Sequence, residues 1–128
     1  MKLRIRGNSV RIRVSKTELA EIADVGAAED SVRFAPNASL RYRVEVKPTG
    51  PVEADFRDSL LRVVVPKARV EQWLRPDEVA IEEQQAIGGG DTLRILIEKD
   101  YTCLAPRADE DDGDLFANPQ KKARSRDD

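Results

Sequence analysis

Lys2-Leu3-Arg4-Ile5-Arg6-Gly7-Asn8-Ser9-Val10-Arg11-Ile12-Arg13-Val14 decides the fold class. The apolar residues stand at odd positions over 2–6 and at even positions over 10–14. A period of two puts aliphatic side chains on one side of a strand and cations on the other. Gly7-Asn8-Ser9 is turn chemistry, so the stretch predicts a β-hairpin.

Outward from this hairpin, Ser15-Lys16-Thr17-Glu18 has the spacing of a capping box: the serine oxygen accepts an early helical N–H and the glutamate reaches back. Leu19, Ile22 and Ala23 would share one face of a short helix that Gly26 ends. Strands follow at 31–34 and 40–46, separated by a turn at Pro36-Asn37. The same order then returns. Residues 52–56 and 60–65 read as strands around Arg57-Asp58-Ser59. Pro66 suits a helix start, and Val70, Trp73 and Leu74 supply that helix's apolar face until Pro76. Val79 and Ile81 mark another strand, Gly88-Gly89-Gly90-Asp91 a hairpin loop, and 93–98 the last strand. At an offset of 51, Ile5, Arg6, Arg11, Val14, Lys16, Leu19 and Ile22 meet Phe56, Arg57, Arg62, Val65, Lys67, Val70 and Trp73. At an offset of 53, Leu40, Arg41, Val44 and Glu45 meet Leu93, Arg94, Ile97 and Glu98.

The sequence thus predicts an α+β fold: two ββαββ units, read as a tandem duplication, forming one mostly antiparallel sheet or a small barrel of about eight strands with two short helices. Neither unit can bury its apolar face alone. One domain is expected over 1–107, built from 1–47 and 52–100. An acidic segment at 108–119 could dock on it, and a disordered tail would follow at 120–128.

Glu98-Lys99-Asp100-Tyr101-Thr102-Cys103-Leu104-Ala105-Pro106-Arg107, followed by Glu110-Asp111-Asp112 and Phe116-Ala117-Asn118-Pro119, resembles the C-terminal signature of a family of small bacterial proteins of unknown function. Those proteins also open with a Lys-Leu-Arg-Ile-Arg-Gly-Asn-Ser type hairpin. The resemblance covers about residues 1–119. It implies a single compact unit from the bacterial cytoplasm and lends no catalytic residue.

Composition narrows the function further. The 128 residues carry 22 Lys+Arg against 24 Asp+Glu, so no overall basic charge favours nucleic acid. The charge is nevertheless uneven: residues 1–50 hold 10 basic and 6 acidic side chains, and 51–105 hold 7 and 11. No apolar run approaches the roughly 20 residues of a membrane helix, and the charged start has no hydrophobic stretch of a secretion signal. With no histidine and one cysteine, His-based catalysis and an internal disulfide are excluded, and no cofactor is expected.

Five features compete for function. The strand cations Lys2, Arg4, Arg6, Arg11, Arg13, Arg33, Arg41 and Arg43 would lie on one side of the sheet. Like charges directly opposite destabilise a sheet, so an anion should compensate them. That anion is a phosphate or another anionic small molecule, a nucleic-acid backbone, an acidic protein, or the chain's own Glu45 and acidic run at 109–114, since arginine forks suit phosphate and carboxylate. Arg4, Arg6, Arg11, Arg13, Arg41 and Arg43 are the candidate binding residues. Cys103 beside Lys99 and Arg107 lacks a histidine base and reads as a packed thiol. The acidic run fails the EF-hand pattern: Gly113 at position 6 puts Ala108 at 1 and Pro119 at 12. Gly88-Gly89-Gly90 lacks the Gly-Lys-Ser/Thr end of a phosphate loop. Finally, Val64 and Leu96 replace cations at nominally outward positions. The tail's Leu115 and Phe116, or a second copy of the chain, would cover them.

A non-enzymatic binding or interaction domain follows. One alternative is an enzyme similar to the triphosphate tunnel phosphohydrolases, although their Glu-x-Glu-x-Lys first strand is replaced here by Lys2-Leu3-Arg4-Ile5-Arg6. The other is a purely structural or dimerising module.

Overall fold

The computed structural model describes residues 1–101 and Phe116. The elements run β1 (Lys2–Arg6), β2 (Ser9–Val14), α1 (Lys16–Val25), β3 (Ala27–Ala35), β4 (Ala38–Lys47), β5 (Glu53–Arg57), β6 (Leu60–Pro66), α2 (Lys67–Trp73), β7 (Ala80–Gly88) and β8 (Asp91–Lys99). This is ββαββ twice.

The strands form two four-stranded sheets, ordered β1-β2-β8-β7 and β3-β4-β6-β5. This corrects the expectation of one sheet or a small barrel. Each sheet takes the first hairpin of one unit and the second hairpin of the other. The four hairpin pairings are antiparallel, whereas β2 with β8 and β4 with β6 are parallel. The cause is the path of the helices. α1 carries the chain from the first sheet to the second and α2 carries it back, so units join across sheets rather than side by side. A β-sheet closes into a barrel only by returning to its first strand, and here each sheet ends on two separate edges.

Local chemistry sets the element ends. Ser15 Oγ accepts from the Glu18 N–H, and the Glu18 carboxylate accepts from the Ser15 N–H, completing the capping box. Gly26 ends α1 in the left-handed conformation that a side chain would disfavour, φ +100°. The β5–β6 turn uses Asp58 and Ser59 at φ +53° and +61°, left-handed positions that short polar residues tolerate. At the matching ends of the sheets, the Arg94 N–H donates to the Asn8 carbonyl and the Arg41 N–H to the Ser59 carbonyl.

The inner sides of both sheets feed one core. Its fully buried members include Ile12, Val14, Val44, Val63, Val65, Ile95 and Ile97, with Leu19 and Ile22 from α1 and Val70 and Trp73 from α2. The aliphatic runs of the central strands suit this burial. The helices present narrower apolar faces than expected, since Ala23 is exposed and Leu74 is 44% exposed. Toward the turns the inner rows extend past the core, leaving Ile5, Phe34, Phe56 and Ile87 exposed.

Phe116 closes the far end of β8. Its N–H donates to the Asp100 carbonyl at 2.8 Å, its ring meets Tyr101 edge-on at 5.7 Å, and Lys99 Nζ sits 5.4 Å from its centroid. Lys99 is buried and donates to the Arg75 carbonyl beyond α2. Burial pushes its amine below the usual lysine range, against the raising influence of Asp77 and Glu78. Among the described residues no helix is long and apolar enough to cross a membrane.

Candidate functional site

The registers place the outward side chains in rows across each sheet. On the first sheet one row is Lys2, Arg13, Glu98 and Ala80. The next is Arg4, Arg11, Leu96 and Glu82, and the third, nearest the turns, is Arg6, Ser9, Arg94 and Gln84. On the second sheet the corresponding rows are Glu53, Val64, Glu45 and Ala27, then Asp55, Arg62, Arg43 and Glu29, then Arg57, Leu60, Arg41 and Ser31.

The predicted binding residues therefore divide. Arg4, Arg6, Arg11 and Arg13 share the outer face of the first sheet, while Arg41 and Arg43 lie on the outer face of the second. The cations do congregate within each sheet, but β4 is not a neighbour of β1 and β2. Arg33, on the β3–β4 hairpin, donates to the Ala35 and Pro36 carbonyls.

The two faces differ in charge balance. The three rows of the second sheet hold four arginines and four carboxylates. Three of these arginines pair with three of the carboxylates: Arg43 with Glu45 at 2.8 Å and Glu29 at 3.3 Å, Arg41 with Glu29 at 3.6 Å, and Arg62 with Asp55 at 2.9 Å and Glu45 at 3.6 Å; Glu53 takes Lys47 at 3.3 Å. The hydrogen bonds that Arg43 donates to Glu45 and Arg62 donates to Asp55 raise both guanidinium pKa values above the ordinary arginine value. Glu45, which the sequence offered as an internal counter-charge, thus compensates Arg43 and Arg62, and Glu29 and Asp55 share the task.

The first sheet's rows hold six cations against two carboxylates. Glu98 serves both Arg13, at 2.7 Å, and Arg11, at 3.4 Å. Glu82 holds Arg94 at 2.7 Å, and this hydrogen bond raises the Arg94 pKa. Lys2 reaches Asp100 at 2.9 Å, beyond the rows. The Arg6 guanidinium pairs with no carboxylate among the described residues. A cleft of about 130 Å³ opens here, lined by Arg4, Arg6, Ser9, Val10, Arg11, Arg94 and Leu96.

Arg94 and Ser9 were missed as site residues. The offset that matches Arg41 to Arg94 already marked Arg94 as outward. Ser9 gave no signal beyond turn chemistry.

Val64 and Leu96, predicted to share a covered surface, are half-buried on different sheets. Val64 lies between Glu45 and Glu53, and Leu96 between Arg11 and Glu82. Phe116 docks against Lys99 and Tyr101 at the end of β8. Leu115, Cys103 and the acidic run at 109–114 lie outside the described residues. Among the described residues no group of three metal-ligating side chains is present. Arginine stays protonated, so this face offers charge and hydrogen-bond donors rather than proton transfer.

No curated protein and no solved structure matches this chain. A model of a family of unknown function, DUF7009, matches residues 1–120, and the chain belongs to that family.

Proposed function

We propose that the chain is a non-enzymatic binding module whose outer face on the first sheet takes an anionic ligand or an acidic partner. One observation carries this reading: the three rows of that face hold six cations against two carboxylates, with Asp100 reaching Lys2 from beyond them, while the corresponding rows of the second sheet hold four of each, with Lys47 reaching Glu53 from beyond them. An unbalanced cationic face is destabilised by its own repulsion, and a bound anion relieves it. The tunnel phosphohydrolase alternative needs a closed barrel, which two open sheets do not supply. The acidic run at 109–114 has the charge to compete for the same face. The recurrence of ββαββ and of the row positions supports a tandem duplication, and the opening and C-terminal motifs favour a bacterial cytoplasmic setting.

Titration with polyglutamate at low ionic strength tests the reading. The parent chain should bind, and weaken steeply as salt screens the face. Arg4→Glu with Arg6→Glu should reduce affinity at least ten-fold, while Arg41→Glu with Arg43→Glu should change it less than three-fold. Equal losses from both pairs, or no binding by the parent, would overturn it and favour a structural or dimerising role.

A further inference from the structure

The two outer faces carry a natural comparison that locates the ligand. Ser9 stands between Arg6 and Arg94 on the first sheet, and Leu60 stands between Arg57 and Arg41 at the matching place on the second. Neighbouring strands lie about 4.8 Å apart, so the flanking arginines arise from backbones roughly 10 Å apart. Over a serine, such long side chains can lean toward one another; a leucine fills the same space. Ser9 Oγ is turned down onto the Arg6 carbonyl, to which it donates at 2.6 Å. The next row differs in the same sense. Arg4 stands where the second sheet has Asp55, so the cleft gains a cation where its counterpart has a counter-charge.

We propose that this cleft binds a terminal phosphoryl group, with Arg6 and Arg94 gripping it from two sides and Arg4 and Arg11 completing the cationic wall. The proposal rests on the reading of this face as an anion-binding surface and narrows it to one pocket and one chemistry. Three features select the phosphoryl group. A planar carboxylate is satisfied by one guanidinium fork, whereas a phosphate monoester offers three terminal oxygens and accepts from several forks at once. Arg94 lines the cleft and spends only its Nε on Glu82, and Arg6 has no carboxylate partner among the described residues. The volume, about 130 Å³, lies well below the roughly 300 Å³ at which pockets begin to hold a whole small molecule. It therefore fits the charged end of a ligand whose remainder stays outside.

Isothermal titration of the full chain at low ionic strength tests this with three probes: inorganic phosphate, glycerol phosphate, and phosphatidylcholine vesicles containing phosphatidic acid. At least one should bind, and the tightest identifies whether the group comes free, on a soluble ester or on a lipid. Ser9→Leu imports the second sheet's residue, fills the cleft and leaves every charge in place. It should weaken phosphoryl binding at least ten-fold while changing polyglutamate affinity less than two-fold. Arg6→Gln, at an exposed position, should weaken phosphoryl binding at least five-fold; it decides the matter if circular dichroism shows Ser9→Leu misfolded. Polyglutamate binding without binding of any phosphoryl probe would overturn the cleft and leave the broader face intact. So would phosphoryl binding that both variants leave unchanged. Failure of polyglutamate and all three probes would remove both.

Discussion

Tyr42 shows how a single inward residue ties the chain's start to the second sheet. Its ring is buried on β4, and its hydroxyl donates to the Met1 carbonyl at 3.2 Å. The Met1 ammonium in turn pairs with the Glu18 carboxylate and, at 3.4 Å, with Asp30. Burial, reinforced by the charges of Asp30 and Glu18, raises the Tyr42 pKa above its ordinary value of 10.0. The folded state then holds a proton that the unfolded state releases. Below pH 10 the two states bind it equally; as pH climbs through 10 toward the raised folded value, the unfolded state ionises first and stability falls. Tyr42→Phe removes that titration, so its urea midpoint should decline less steeply above pH 10 than the parent's. Tyr101 shifts in the same direction and Lys99 in the opposite one, but both are common to the two proteins and leave the difference to Tyr42. Parallel declines would show that the buried phenol does not carry this linkage.

At the scale of elements, the edge strands differ in how they are closed. β5 and β7 end their respective sheets, and the Gln85 carboxamide joins them. Its Oε1 accepts from the Ala54 N–H at 2.7 Å, and its Nε2 donates to the Ala54 carbonyl at 3.1 Å. One side chain thereby satisfies both edge groups of Ala54, as a neighbouring strand would. In the first unit the matching residues are Leu3 and Val32, and valine cannot bridge. Gln85→Val would make the second unit resemble the first. It should cost about 1–2 kcal/mol for two lost hydrogen bonds at a partly buried seam, read as a lower urea midpoint at unchanged slope. A loss below a few tenths of a kcal/mol would mean that water replaces the amide without penalty.

At the scale of the whole molecule, the units are interleaved. Each sheet draws a hairpin from both, and the core takes side chains from both sheets and both helices. Neither half can then complete a sheet by itself. Residues 1–50 and 51–101, produced separately, should show no folded monomer. Each should be unfolded or should pair with a second copy that supplies the missing hairpin, and mixing the two should restore strand signal. Circular dichroism with light scattering decides this. A folded, cooperative monomer from either half would contradict the shared core.

The sequence by itself determined the elements and their faces. The alternation at 2–6 and 10–14, the Ser15–Glu18 box, Gly26 and the Asp58-Ser59 turn act over a few residues, so composition at fixed spacing suffices to specify them. It also determined which arginines point away from the core, because a strand's period of two leaves no other choice. Only the tertiary structure decided which strands are neighbours. Arg41 and Arg43 obey the same alternation as Arg4 and Arg6, yet α1 carries β3 and β4 to the other sheet, away from β1 and β2, and Glu29 and Glu45 of their own hairpin neutralise them. The cleft depends on the same event. Ser9 is an ordinary turn residue until β8 pairs with β2 and brings Arg94 beside it, since a contact between residues 85 positions apart is fixed by the packing of the core and not by local pattern.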